Sequence, residues 1–216
     1  MKEINEIQKK GIQMSFEIID NFFQVIVIGL MALISGTMAL RESSKEYLLL
    51  SCGYICMSLA TLYYVLCLII TGKVPQVFYV AEISWIAAYL FYLSVSLFRT
   101  NVQEKSCIPA TVGAVFVTVM SMLMKIMGPS PVTEIAFSVT AGTIVYRSIW
   151  GLCQKDSAKL LDVLFLLVVI LQISLYGISS FIKDYTNFNL YFAIDIMLTF
   201  AMAALLPALK REVEAE

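Results

Sequence analysis

The feature that most constrains this chain is a series of seven apolar stretches, each long enough to cross a lipid bilayer as a helix. A transmembrane helix needs about 20 mostly apolar residues to cross a hydrocarbon core about 30 Å thick. The stretches cover residues 22–40, 47–71, 77–98, 107–127, 131–152, 160–182 and 188–209. Since none of them alternates with the period of two typical of a membrane β-strand, the sequence predicts an all-α integral membrane protein, a bundle of seven transmembrane helices.

The composition agrees with this division. The chain is 60% hydrophobic and 14% charged, whereas soluble domains are about 45–50% apolar and about 25% charged. We expect an N-terminal tail over residues 1–21, a single seven-helix domain over 22–209 and a C-terminal tail over 210–216, with loops too short to hold another domain. The first stretch exceeds the core of a typical signal peptide and is interpreted as a retained helix; cleavage near residues 35–39 is the alternative.

The distribution of Lys and Arg predicts the orientation of the bundle, because positive charges concentrate in cytoplasmic loops. One side of the predicted bundle carries Arg41, Lys45, Arg99, Lys105, Arg147, Lys155, Lys159, Lys210 and Arg211. The other side carries Lys73, Lys125 and Lys183, together with three lysines far out on the N-terminal tail. We therefore expect the N-terminus outside and the C-terminus in the cytoplasm, although the tail lysines argue for the reverse.

Six charged residues lie inside the predicted spans, where a charge is costly and often functional. They are Glu82, Lys125, Glu134, Arg147, Asp162 and Asp195. At a rise of about 1.5 Å per residue, Glu82 and Asp195 lie roughly 8–10 Å below the outer surface, where they require a cavity, a partner or a proton. Glu134 can instead be a helix-start carboxylate, and Lys125 a salt-bridge partner or a snorkelling residue. Arg147 and Asp162 flank a cytoplasmic loop as a structural pair or an inner gate.

Polar residues within the spans recur at intervals of three and four, the spacing of one helical face, and these faces are expected to point into the bundle. Helix one instead carries small residues that allow close packing. They are Gly29, Ala32, Gly36 and Ala39. Near the outer end, carboxylates coincide with aromatic rings, a combination that can bind a cation, an amine or a proton-coupled substrate. The candidate ligand-binding residues are Glu82, Trp85, Tyr89, Tyr176, Tyr191, Asp195 and Thr199.

Several kinds of chemistry are missing from the sequence. The chain has no histidine, the commonest metal ligand and general base. Its five cysteines include no pair placed for an extracellular disulfide. No glycine-rich phosphate loop, nucleophile elbow or basic nucleic-acid patch occurs. We therefore expect no enzymatic activity, no cofactor, no metal and no nucleic-acid partner.

The two halves of the chain resemble each other. The intervals Lys45–Lys73 and Lys155–Lys183 have the same length of 28 residues, and Arg99 and Arg211 each follow a tyrosine by twenty residues. This correspondence predicts that helices one to three are repeated as helices five to seven, with helix four as an inverting linker.

With this 3+1+3 layout the chain resembles two families of membrane proteins. Trp85 on helix three, Tyr176 on helix six and Asp195 on helix seven resemble residues that line the chromophore pocket of microbial rhodopsins, which share the outside-to-inside topology. In that family a lysine one turn after the helix-seven aspartate carries retinal, whereas Thr199 stands at that place here and argues against covalent retinal binding. The layout also resembles SWEET-type sugar transporters, whose proline-glutamine signature has a counterpart only in Pro75–Gln76. These resemblances imply architecture rather than chemistry.

Two functions of different classes fit these features. The first is a transporter of a small solute or ion that uses the outward-facing acidic and aromatic pocket. The alternative is a seven-helix receptor or sensor that passes ligand binding to a separate cytoplasmic partner. Because the transporter requires nothing beyond this chain and the lipid bilayer, it is the function that the sequence favours.

Overall fold

The computed structural model describes residues 16–71, 79–98, 107–124, 130–154, 159–182, 185 and 187–214. All regular structure in these ranges is α-helical, in seven helices numbered α1 to α7 along the chain. They are α1 (Phe16–Glu42), α2 (Lys45–Thr71), α3 (Tyr79–Phe98), α4 (Ile108–Met124), α5 (Pro131–Cys153), α6 (Lys159–Ser179) and α7 (Leu190–Val213). The predicted all-α class and the number of helices are confirmed.

The outer surface of the bundle is that of a multi-pass membrane protein. Six of the described helices are long and apolar enough to cross a membrane, while α4 is apolar but shorter, with 17 described residues. Large apolar side chains lie along the outside: on α1, Ile26, Leu33 and Leu40 are 59%, 69% and 85% exposed. A continuous exposed apolar surface of this kind fits lipid rather than water.

The helix boundaries differ most from the predicted ones at the N-terminus. α1 begins at Phe16, whereas the sequence predicts that the first span begins at residue 22. The polar residues Glu17, Asp20 and Asn21 interrupt the apolar pattern without interrupting the helix. Six residues expected in the tail, 16–21, are therefore part of α1. Among them, Asp20 is buried at 3% exposure.

Local sequence explains two of the connections. Between α1 and α2 the chain reverses at Ser43, whose φ of 52° is left-handed, and the hydroxyl of Ser44 then accepts a hydrogen bond from the backbone N–H of Tyr47 at 3.4 Å. At the start of α7, the side chain of Asn189 accepts hydrogen bonds from the backbone N–H groups of Tyr191 and Phe192. Both are side-chain caps that satisfy free N–H groups at a helix start.

The helices form a ring in the order α1, α2, α3, α5, α6, α7, with α7 packed against α1, and α4 lies outside the ring against α5. If α1, α2 and α3 are exchanged with α5, α6 and α7 respectively, every pair of neighbouring helices in the ring becomes another pair of neighbours. The arrangement is compatible with the predicted 3+1+3 repeat, which stays a prediction.

The small residues of α1 pack against α2, as expected. Ser51 on α2 donates a hydrogen bond of 2.9 Å to the backbone oxygen of Ala32, and Ser35 on α1 donates one of 2.8 Å to the backbone oxygen of Tyr47. A Cβ atom at Gly36 would lie 3.2 Å from the Ser51 hydroxyl. Because hydroxyls reach the backbone of the neighbouring helix only at short range, these contacts confirm the close approach.

The described charges divide between the two ends of the bundle. The N-terminal ends of the odd-numbered helices form one end, called here the acidic end. Its described charged residues are Glu17, Asp20, Glu82, Glu134 and Asp195. The opposite end, called here the mixed-charge end, carries several acids and every described Lys and Arg. These basic residues are Arg41, Lys45, Arg147, Lys159, Lys210 and Arg211.

Candidate functional site

A cavity of about 310 Å³ lies at the acidic end, between α1, α2, α3, α6 and α7. Its wall is mostly polar and aromatic, and its floor, in the middle of the bundle, is apolar. The polar and aromatic lining residues are Glu17, Asn21, Gln24, Tyr64, Trp85, Gln172, Tyr176, Ser179, Tyr185, Tyr191 and Asp195. The apolar lining residues are Met57, Leu175, Leu198 and Met202.

The cavity brings together four of the seven predicted ligand-binding residues, namely Trp85, Tyr176, Tyr191 and Asp195. Two others lie directly behind its wall. Tyr89 donates a hydrogen bond of 2.8 Å to Oε1 of Gln172, and Thr199 accepts one of 3.2 Å from Nε2 of Gln24. Glutamine side chains therefore connect both buried residues to the lining.

A polar network centred on Gln24 holds Asp195 in place. Nε2 of Gln24 donates to Oδ1 of Asp195 at 3.1 Å, and its Oε1 accepts from the hydroxyl of Thr61 at 2.7 Å. Since the amide oxygen is taken by a donor on α2, the NH₂ group is directed toward α7. The network fixes the Asp195 carboxylate at the wall of the cavity and connects three helices.

Asp20 lies against the same carboxylate. The carboxyl groups of Asp20 and Asp195 are hydrogen-bond neighbours. Asp20 is 3% exposed and Asp195 is 7% exposed, and Oδ2 of Asp20 has no hydrogen-bond partner within the described part of the chain. The site therefore contains two buried carboxyl groups in contact, one of which lines the cavity.

The mouth of the cavity is aromatic with one further acid. Tyr64 donates a hydrogen bond of 2.7 Å to Oε1 of Glu17, and the ring of Tyr185 meets the rings of Tyr191 and Phe192 edge to face at 5.3 and 6.3 Å. Tyr185 lies in the segment between α6 and α7, and burial together with the nearby Glu17 raises the pKa of its hydroxyl. The Tyr185 phenol thus remains a neutral donor at ordinary pH.

A group of buried tyrosines closes the centre of the bundle beneath the cavity. Tyr54 donates a hydrogen bond of 2.7 Å to the backbone oxygen of Met202, and its ring lies 6.0 Å from that of Tyr92. Tyr89 stacks edge to face on Tyr92 and on Phe137, at 5.9 and 5.2 Å. All four rings are at most 1% exposed. A packed aromatic layer therefore lies beneath the apolar floor of the cavity.

Glu82 lies apart from the cavity. It is 4% exposed and faces α5, where it interacts with Thr133 and Glu134. Ser138 donates a hydrogen bond of 3.3 Å to Oε1 of Glu134. Tyr176 interacts electrostatically with both glutamates and with Asp195, and it separates the two groups of acids. Glu82 and Glu134 form a second buried acidic group behind the cavity wall.

The other predicted charged residues lie elsewhere. The Arg147 guanidinium donates a hydrogen bond of 3.3 Å to the backbone oxygen of Ser96 and lies 5.6 Å from the centre of the Trp150 ring. Asp162 packs against Gly151, one turn beyond Arg147 on α5, so the two charges share a buried region at the mixed-charge end. The structural pair and the inner gate both stay predictions. Lys125 lies outside the described residues.

The sequence-based reading missed Glu17, Asp20 and Gln24. The signal that identifies them is their spacing of three and four residues, which places them on one face of a helix, and the same stripe continues into the apolar stretch through Ile28 and Ala32. A search for apolar residues alone starts this helix too late in the sequence. Among the described residues, no three Cys, Asp or Glu side chains are grouped so as to hold a metal ion.

Comparison of the chain with protein-family models, with curated proteins and with solved structures finds no match. Trp85, Tyr176 and Asp195, the residues that resemble the pocket of microbial rhodopsins, do line one cavity here. No relative supports membership in that family or among the SWEET-type transporters. What the site can do therefore follows from its own geometry.

Proposed function

We propose that this chain is a membrane transporter of a small solute or ion, which binds in the cavity at the acidic end beside Asp195. The observation that carries the proposal is a cavity at the acidic end of the bundle, with a buried carboxylate on its wall and an apolar floor that lies above packed tyrosines. Transporters commonly bind substrate near the bilayer midplane and open to one side at a time.

The depth of the cavity supports this proposal. At about 1.5 Å per residue, Asp195 lies roughly 8 Å along α7 from its first residue, and Met202 on the floor lies roughly 18 Å along it. With 24 residues, α7 is about 36 Å long, so the floor lies at about half its length. Beyond the floor, Tyr54 joins α2 to α7 through its bond to Met202. Movement of these helices would open a path toward the other end.

We further propose that the acidic end faces the outside. All Lys and Arg residues within the described ranges lie at the mixed-charge end, and positive charges favour the cytoplasmic side. In this orientation the N-terminus is outside, the C-terminus is cytoplasmic, and the cavity collects solute from outside the cell.

Flux through reconstituted protein tests the proposal. Proteoliposomes would be assayed for uptake of protons, alkali cations, phenethylammonium, an amino acid and a hexose. We expect saturable uptake of at least one of these, lost in Asp195→Asn and kept in Glu214→Gln, which neutralises an exposed acid at the opposite end of the chain's last helix. Binding at the cavity without flux of any of them would overturn transport in favour of the receptor alternative.

A further inference from the structure

The contact between Asp20 and Asp195 indicates which class of ligand the cavity takes. Both carboxyl groups are buried, they are hydrogen-bond neighbours, and Oδ2 of Asp20 has no partner within the described part of the chain. Two ionised carboxylates that are hydrogen-bond neighbours repel each other strongly, so they require a positive charge between them or beside them. That charge is either a proton or a cation.

The surrounding groups do not supply this charge. Tyr89 on α3, Tyr176 on α6 and Tyr191 on α7 interact electrostatically with Asp195. Glu17 on α1 and Tyr64 on α2 face the mouth of the cavity. Every one of these titratable groups is an acid or a phenol, and each described Lys and Arg lies at the other end of the bundle. A proton is therefore the charge that the described part of the protein can hold in the absence of a ligand.

The walls favour an organic cation over a bare metal ion. A water molecule in the liquid occupies roughly 30 Å³. If each non-hydrogen atom of a ligand needs about that volume, the cavity of about 310 Å³ holds about ten of them. Trp85, Tyr176 and Tyr191 line it, and the faces of such rings attract ammonium groups. The Gln24 amide occupies one oxygen of Asp195, and so holds the carboxylate in a fixed position for an ion pair.

We propose that the ligand is a small organic ammonium ion, and that it displaces one proton held between Asp20 and Asp195. This inference rests on the proposed function, since it names the substrate class of the same cavity. The ammonium ion enters with its charge, the proton shared by the two carboxyl groups leaves to the solvent, and the net charge of the site is unchanged. Binding is thus a cation-for-proton exchange.

Calorimetry on the purified full chain in detergent tests the exchange without any need for flux. Phenethylammonium would be titrated in buffers of different ionisation enthalpy, which yields the number of protons released per ligand bound. We expect close to one proton released and an affinity that rises by up to about tenfold per pH unit. Phenethyl alcohol, which has the same shape without the charge, is expected to bind at least about tenfold more weakly.

Variants assign the proton to the pair. Asp20→Asn is expected to keep ammonium binding and to abolish proton release, whereas Asp195→Asn is expected to weaken binding by more than about tenfold. Glu214→Gln should change neither. Three results would overturn the proposal: phenethylammonium does not bind, the alcohol binds equally well, or the ammonium ion binds the unaltered protein without proton release. The last of these measurements does not depend on the folding of any variant.

The two proposals fail separately. Ammonium binding with proton release but no flux would leave this inference intact and remove transport. If another solute shows saturable flux that depends on Asp195, and ammonium ions do not bind, the proposal of transport stands and the proposal of an ammonium ligand fails.

Discussion

The carboxylate of Asp195 on α7 accepts a hydrogen bond of 3.1 Å from the side-chain amide of Gln24 on α1. This bond joins the first and last helices of the ring across 171 residues of sequence. The same amide group donates to Thr199 at 3.2 Å and accepts from Thr61 on α2 at 2.7 Å. One side chain therefore links α1, α2 and α7 and orients the proposed binding carboxylate.

Replacement of Gln24 by leucine should destabilise the bundle. Gln24→Leu removes the partner of three buried polar groups, and a buried polar group left without its partner costs about 1–3 kcal/mol. We expect a lower unfolding temperature in detergent, measured by the fluorescence of the two tryptophans or by circular dichroism. The matched control is Asn21→Leu. Within the described part of the chain, Asn21 bonds only to the backbone of its own helix, at Glu17, so its loss should change stability by less than about 0.5 kcal/mol. Equal shifts in both variants would show that the network contributes nothing.

The packed tyrosines beneath the cavity floor should control movement of solute and not its binding. Tyr54→Phe keeps the ring and removes the 2.7 Å bond to the Met202 backbone, which joins α2 to α7. A hydrogen bond worth about 1 kcal/mol corresponds to roughly a fivefold change in an equilibrium, so we expect flux to change several-fold while ammonium affinity stays within about twofold. Tyr146→Phe, outside the ring in the groove between α4 and α5, is the control and should leave both unchanged. A change in affinity without a change in flux would contradict the position of Tyr54 beneath the floor.

Gly151 should tolerate no side chain. A Cβ atom there would collide with the carboxylate of Asp162 on α6, so Gly151→Ala forces this buried carboxylate to move. Overpacking that displaces a buried side chain costs about 1–3 kcal/mol. By contrast, a Cβ atom at Gly29 would lie 3.4 Å from the Ser58 hydroxyl, an ordinary contact, and alanine favours a helix interior. Comparison of folded yield and unfolding temperature should show a loss for Gly151→Ala and none for Gly29→Ala; the same loss in both would contradict the packing described for α5 and α6.

Labelling of single cysteines tests the proposed orientation. In a variant without the five native cysteines, Phe181→Cys places an exposed thiol at the acidic end and Arg211→Cys places one at the mixed-charge end. A membrane-impermeant thiol reagent applied to intact cells should label the first and should reach the second only after permeabilisation. The reverse pattern would place the mouth of the cavity in the cytoplasm.

The sequence predicts the spans well because burial in lipid requires long apolar runs, and it identifies Asp195 because a charge inside such a run is unusual. It fails where a helix begins with polar residues: Glu17 and Asp20 belong to α1 by helical spacing and not by hydrophobicity. Glu82 shows a second limit. It shares a helical face with Trp85, yet it packs toward α5 while Trp85 lines the cavity. Which neighbour a helical face meets depends on the order of helices in the ring, and the pattern of a single helix does not contain that order.

The position of a bound ammonium ion is the most direct test of whether the cavity binds its ligand at Asp195. A crystal structure with bromophenethylammonium would locate the ligand by the anomalous signal of its bromine. We predict one strong peak in the cavity beside Trp85 and Tyr176, with the ammonium group at Asp195, and no peak there in Asp195→Asn. Two results would contradict ligand binding at Asp195. One is a peak in the apolar groove of about 340 Å³ between α4 and α5. The other is an empty cavity at a ligand concentration that saturates binding in solution.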